Sequence, residues 1–199
     1  MPPPPPALVP PALLPIDLQN AIDAPVWRKH GDRNNLSAEQ NISNLLAAWR
    51  GKRWPIYHIR HDSVELDSPY RPNQPGNEFQ PFAQPLSGEA VIPKQTNSAF
   101  VGTNLGSVLR AAGHNTLVMC GVITNNSVEA TVRMAGNLGF KTYLAADACY
   151  TFPRLDWNGR LWSAQDVHAL SLSNLHAEYC TVMNTCEILD LFLKPDGVR

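Results

Sequence analysis

No run of apolar residues in this chain approaches the ~20 that a helix needs to cross a bilayer, so a membrane-embedded class is not expected. Surplus charge is missing as well. The formal net charge is −1, with 17% charged residues, which leaves no electrostatic footprint for nucleic acid or an anionic membrane. Cysteine is sparse, and Cys120, Cys149, Cys180 and Cys186 contain no C-x-x-C pair. That argues against a redox pair or a zinc knuckle, and reduced, buried thiols are expected instead. The opening MPPPPPALVPP lacks the basic segment and long apolar core of a secretion signal, so the expected location is cytoplasmic.

Proline is the residue in surplus, with 18 in the chain. Those at the start predict an extended polyproline arm over 1–11, leaving 12–199 as one domain around one large core. ALLPID, 12–17, reads as a first strand ending in an acid. SAEQNISNLLAAWRG, 37–51, combines a capping box in Ser37 and Gln40 with Ile42, Leu45, Leu46 and Trp49 at helical spacing and Gly51 as a stop. WPIYHIRH, 54–61, is strand-like, and 62–88 is too rich in Pro, Gly, Asn and Gln for regular structure. A connection that long is more often a lid or pocket wall than decoration.

The rest alternates. AVIPK (90–94), TLVMCGV (116–122), KTYLAAD (141–147) and CTVMN read as strands; 103–113, the segment after Val122, 163–179 and TCEILDLFL read as helices. Apolar strands joined by helical crossovers predict an α/β fold, a mainly parallel sheet with helices on both faces.

In such a sheet ligands bind beyond the carboxyl ends of the strands. Asp17, Lys94 and Ser127 each fall at or just past a strand end. An acid, a cation and a hydroxyl are therefore expected on one edge, with backbone N–H groups near Asn126 favouring an anion. Each also has a plainer reading: a strand-end acid as a turn residue, a lysine as a solvated charge, a serine as a helix cap.

IDLQNAI at 16–22, the lysine of VIPKQTNSAFVGTNL at 91–105, and GVITNNSVEATVRMAGNLGFKTYLAADAC at 121–149 resemble, in order and spacing, the isochorismatase-like hydrolases. The resemblance covers about 12–190. It implies a three-layer α/β/α sandwich around a Rossmann-like sheet, hydrolysis of a small molecule without a cofactor, and a homo-oligomer, dimer or tetramer. It implies a catalytic triad of Asp17, Lys94 and Ser127, with serine where the family usually carries cysteine. It further implies a cis peptide between Val122 and Ile123 and an oxyanion hole from the backbone amides of Ile123 and Ser127.

A serine hydroxyl is far less acidic than a thiol, so three readings stay open. Ser127 attacks an amide-type carbon with Asp17 and Lys94 managing its proton; or Asp17 protonates a vinyl ether with no covalent intermediate; or the site binds without turning over. His58 and His61 stand three apart on a strand and point to opposite faces, so a shared metal is not expected. His61, Asn97, Phe100 and Phe152 are the substrate-binding candidates, with Tyr70, Phe79, Phe82 and Trp157 as further wall residues.

Overall fold

In the computed structural model, which describes residues 9–194, the strands are β1 (Ala12–Ile16), β2 (Tyr57–His61), β3 (Ala90–Lys94), β4 (Thr116–Val122), β5 (Lys141–Tyr150), β6 (Arg154–Leu155), β7 (Leu161–Trp162) and β8 (Thr181–Met183). The helices are α1 (Ala38–Lys52), α2 (Leu105–Ala111), α3 (Glu129–Asn137), α4 (Ala164–Leu175) and α5 (Thr185–Leu193). Six strands form one sheet in the order β3-β2-β1-β4-β5-β8, every pair parallel, while β6 and β7 make a separate antiparallel hairpin.

The period of two along the strands explains the layers. Leu13, Val118, Cys120 and Val122 face one side, where Ile42, Leu45, Leu46 and Trp49 of α1 and Ile188 of α5 cover them. Ala12, Leu14, Ile16, Leu117 and Met119 face the other, under Leu105 and Leu109 of α2, Val132 and Ala135 of α3, and Leu175 of α4. Both faces of β1 and β4 are thus buried, which is why these strands read as unbroken apolar runs. Trp49 is fully buried and its indole N–H donates to Pro11 O at 2.8 Å. Gly121 carries φ +126°, and a Cβ there would lie 2.2 Å from Ile16 O, so only glycine lets β4 run this close to the end of β1.

Several predicted boundaries differ from the observed ones. Residues 1–8 of the expected arm lie outside the described residues, and Pro11 is buried. Ser37 makes no capping hydrogen bond, because its backbone (φ −86°, ψ 2°) is not extended as a capping residue's usually is. Gln40 instead donates to Asn44 Oδ1 at 3.0 Å. Gly51 does not stop α1; Arg53, in the left-handed region at φ 54°, does. β2 starts at Tyr57, not at 54, because Trp54 N–H still closes α1 on Trp49 O. The helix predicted over 103–113 occupies only Leu105–Ala111, and that over 163–179 ends at Leu175. Cys186 is exposed, unlike the other cysteines; burial pushes the Cys120 and Cys180 thiols up to about 12.

One partly buried cluster is structural and bears on pH. Glu89 accepts from Arg50 Nε at 2.7 Å, from Leu86 N–H at 2.9 Å and, at 2.7 Å, pairs with His58 Nε2. Burial alone would raise its carboxyl, but these bonds outweigh it and lower it from 4.5 to about 2. Burial lowers His58 from 6.5. Both shifts act in one direction. The folded state binds fewer protons than the unfolded chain, so stability falls as pH drops below 6.5 through His58, and again from 4.5 towards 2 through Glu89. Glu89→Gln is expected to cost about 1–3 kcal/mol at pH 7. It should also flatten the decline of Tm below pH 4.5, measured by thermal melts across that range.

Candidate active site

The strand order reverses between β1 and β4, and the site lies beyond that point. Asp17 follows β1 directly, with φ 54° and its N–H donating to Ile59 O at 3.0 Å, so the chain turns sharply and the carboxylate is buried. Lys94 ends β3, two strands away, and its long side chain reaches back past the end of β2. Its ammonium donates to Asp17 Oδ2 at 2.8 Å, Thr96 O at 3.1 Å and Ser127 Oγ at 3.2 Å, and stands 3.2 Å from His61 Nδ1. The Lys94 side chain is 0% exposed. A lysine so buried is tolerable only because Asp17 balances its charge and the other acceptors replace water. Asp17 Oδ1, also buried, has no hydrogen-bond partner among the described residues.

Ser127 does not cap a helix. The Val122–Ile123 peptide is cis, and Thr124–Val128 form a single π-helical turn before α3. Asn126 N–H and Val128 N–H both donate to Ile123 O, at 3.1 and 3.4 Å, so the turn carries an extra residue and holds Ser127 inward, 6% exposed. Side chains brace it. Thr124 Oγ1 lies 2.8 Å from His168 Nδ1, Ser171 Oγ donates to Thr124 O at 3.3 Å, and Arg154 Nη1 donates to Asn126 Oδ1 at 3.1 Å.

A cavity of about 1020 Å³ opens over these groups, large enough for a small organic molecule. Asp17, His61, Asn97, Ile123, Ser127 and Phe152 all line it. Phe100 does not: its ring stacks on Phe140 at 5.6 Å beneath the other face of the sheet, so its expected binding role is withdrawn. Among the further wall candidates Tyr70 lines the cavity, whereas Phe79 packs on His58, Phe82 joins the core, and Trp157 is 92% exposed on the β6–β7 connection. His58 and His61 do point apart, one to Glu89 and the other to Lys94.

Other cavity and supporting residues carried no clear signal in the sequence. Trp27 forms an aromatic wall with Phe152, stacked at 6.3 Å, and with Tyr70, edge-on at 6.3 Å. Gln19 is wholly buried and grips the main chain of His61, accepting from its N–H at 2.7 Å and donating to its carbonyl at 3.0 Å; Asn77, from the 62–88 connection, donates to the same carbonyl at 3.0 Å. The only hint was position, Gln19 standing two residues after Asp17. Burial, with the Lys94 charge behind it, holds His61 below the usual imidazole range, and burial raises the Tyr70 phenol well above its own.

A parallel sheet covered on both faces, with an acid, a lysine and a hydroxyl gathered at its switch point, defines a Rossmann-like α/β/α hydrolase. Within that class the chain belongs to the isochorismatase family: the Isochorismatase domain matches residues 11–185. The isochorismatase family protein YrdC of Bacillus subtilis is 39% identical over 183 residues, spanning 92% of this chain and 96% of that one. A crystal structure of an isochorismatase-family protein from Chromobacterium violaceum is 55% identical, with TM-score 0.89, covering 94% of this chain and 95% of that one. A shorter match, 40% identical over 67 residues, joins 34% of this chain to 29% of the ureidoacrylate amidohydrolase RutB of Agrobacterium fabrum.

Proposed function

We propose that this protein hydrolyses a C–N amide-type bond of a small molecule, with Ser127 as nucleophile, Asp17 as general acid/base and Lys94 as electrostatic partner. One observation carries the reading. The Lys94 ammonium holds Asp17 Oδ2 and Ser127 Oγ at the same time, at 2.8 and 3.2 Å, while the second carboxylate oxygen is buried with no hydrogen-bond partner among the described residues. An ammonium next to the hydroxyl stabilises negative charge developing on Oγ, which compensates for the lower acidity of serine.

The Ser127 proton passes to Asp17 as Oγ bonds the substrate carbon, the backbone amides of Ile123 and Ser127 receive the oxyanion, and the nitrogen departs with a proton. Water then cleaves the acyl-enzyme. The similarity to RutB, a ureidoacrylate amidohydrolase, supports a C–N substrate. The buried free thiols fit a reducing, cytoplasmic setting, and exposed Val26, Val64, Leu66 and Leu155 around the cavity support a homo-oligomer.

A second reading, acid-catalysed vinyl-ether cleavage, is supported by the same oxygen of Asp17, which no hydrogen bond occupies among the described residues and whose protonation would not require Ser127. A panel of amides, imides and isochorismate separates the two. Amide turnover by the wild type and a gain in it for Ser127→Cys are expected. Consumption of isochorismate alone, unaffected by Ser127→Ala, would replace the amide reading with the vinyl-ether one.

A further inference from the structure

His61 touches the site at one nitrogen and leaves the other free. An ammonium has three hydrogens and no lone pair: two go to Asp17 Oδ2 and Thr96 O, and the third is shared between Ser127 Oγ and His61 Nδ1, both at 3.2 Å, so His61 Nδ1 accepts. A neutral imidazole whose Nδ1 accepts carries its hydrogen on Nε2. That nitrogen has no hydrogen-bond partner among the described residues, and the half-buried ring lines the cavity beside Asp17 and Ser127.

The residue is also held from its main chain and at its ring. Gln19 and Asn77 fix its main chain through three hydrogen bonds, and Tyr70 meets it edge-on with centroids 5.5 Å apart. Burial and Lys94 favour the neutral form, with Asp17, Asp62 and Glu65 pulling the other way. A main chain fixed by the wholly buried Gln19 sets where the imidazole projects from the end of β2.

We infer that His61 is the proton donor to the departing nitrogen, held in its Nε2–H tautomer by Lys94. The assignment rests on the amide-hydrolysis reading. In acylation the Ser127 proton goes to Asp17, Oγ bonds the carbonyl carbon, and the C–N bond breaks as Nε2–H passes to nitrogen. Lys94 hands one N–H hydrogen to Nδ1. Asp17 and Lys94 are then both neutral, and His61 carries its hydrogen on Nδ1. In deacylation water attacks the acyl carbon and gives its proton to Nε2. Nδ1 returns a proton to Lys94, and Asp17 returns one to Ser127 Oγ as the ester bond breaks. Every group ends as it began, and His61 has served as acid and then as base.

His61→Gln tests this, because glutamine can accept from Lys94 through Oε1 and donate into the cavity through Nε2 but cannot pass a proton between them. The measurement compares a primary amide with the p-nitrophenyl ester of the same acid, whose phenolate departs without a proton. The amide kcat/KM is expected to fall by about 10²–10⁴-fold and the ester kcat/KM by less than about 10-fold. A parallel fall for both substrates, or no fall for the amide, would overturn the assignment while leaving the amide reading standing. Wild type that cleaves the ester and no amide would overturn both. Melting curves establish that the variant is folded, and His61→Asn supplies the same comparison if it is not.

Discussion

Asp17→Asn should lower kcat/KM for the amide by about 10²–10⁴-fold, the usual range for removing a positioned general acid or base. Asparagine keeps the shape, and its amide oxygen still accepts from Lys94, so the loss reports the proton and charge rather than a void. The geometry explains why no neighbour takes over. Asp17 Oδ1 is buried and unpartnered among the described residues, whereas His61 Nδ1 and Thr96 O are already engaged by Lys94. Steady-state kinetics with a melting curve on the same preparation check it; activity within about 10-fold of wild type would remove Asp17 from the general acid/base role.

Lys94→Met should have the largest effect on stability. Its side chain is fully buried, and removing it strands the Asp17 carboxylate in the interior with neither oxygen paired to a cation. Breaking a buried pair from one side costs about 3–5 kcal/mol. In a chain of this length each kcal/mol is about 2–4 °C of Tm, so a drop on the order of 10 °C is expected, with activity lost. The double variant Asp17→Asn/Lys94→Met removes both charges and should recover much of that loss, because the cost lies in the uncompensated charge more than in the missing contact. Equal melting of wild type and Lys94→Met would show that the pair is not buried in solution.

Much of the site's frame was legible because strand-end logic needs only the order of apolar runs and the residues that terminate them. It offers Asp17, Lys94 and Ser127 as candidates for one edge, where their side chains do meet, and the two-faced burial of β1 and β4 follows from their unbroken apolar sequence. What escaped depends on contacts that local sequence does not encode. Gln19 and Asn77 meet His61 across 42 and 16 residues. The π-turn at Thr124–Val128 has no propensity signature, and its bracing His168 is 44 residues from Thr124. Phe100 misled through proximity: six residues after Lys94, it belongs with the α2 side of the sheet, where Phe140 takes its ring. At Ser37 the residue types for a capping box were present, but the backbone turned the wrong way to use them.

The nucleophile is the point on which the account stands. Wild type mixed with excess of an amide it turns over, acid-quenched within a turnover and weighed intact, should carry the mass of the acyl group. Peptide mapping should place that mass on Ser127, and Ser127→Ala should show neither adduct nor turnover. An unmodified wild type, together with Ser127→Ala that hydrolyses the amide at the wild-type rate, would contradict the covalent route.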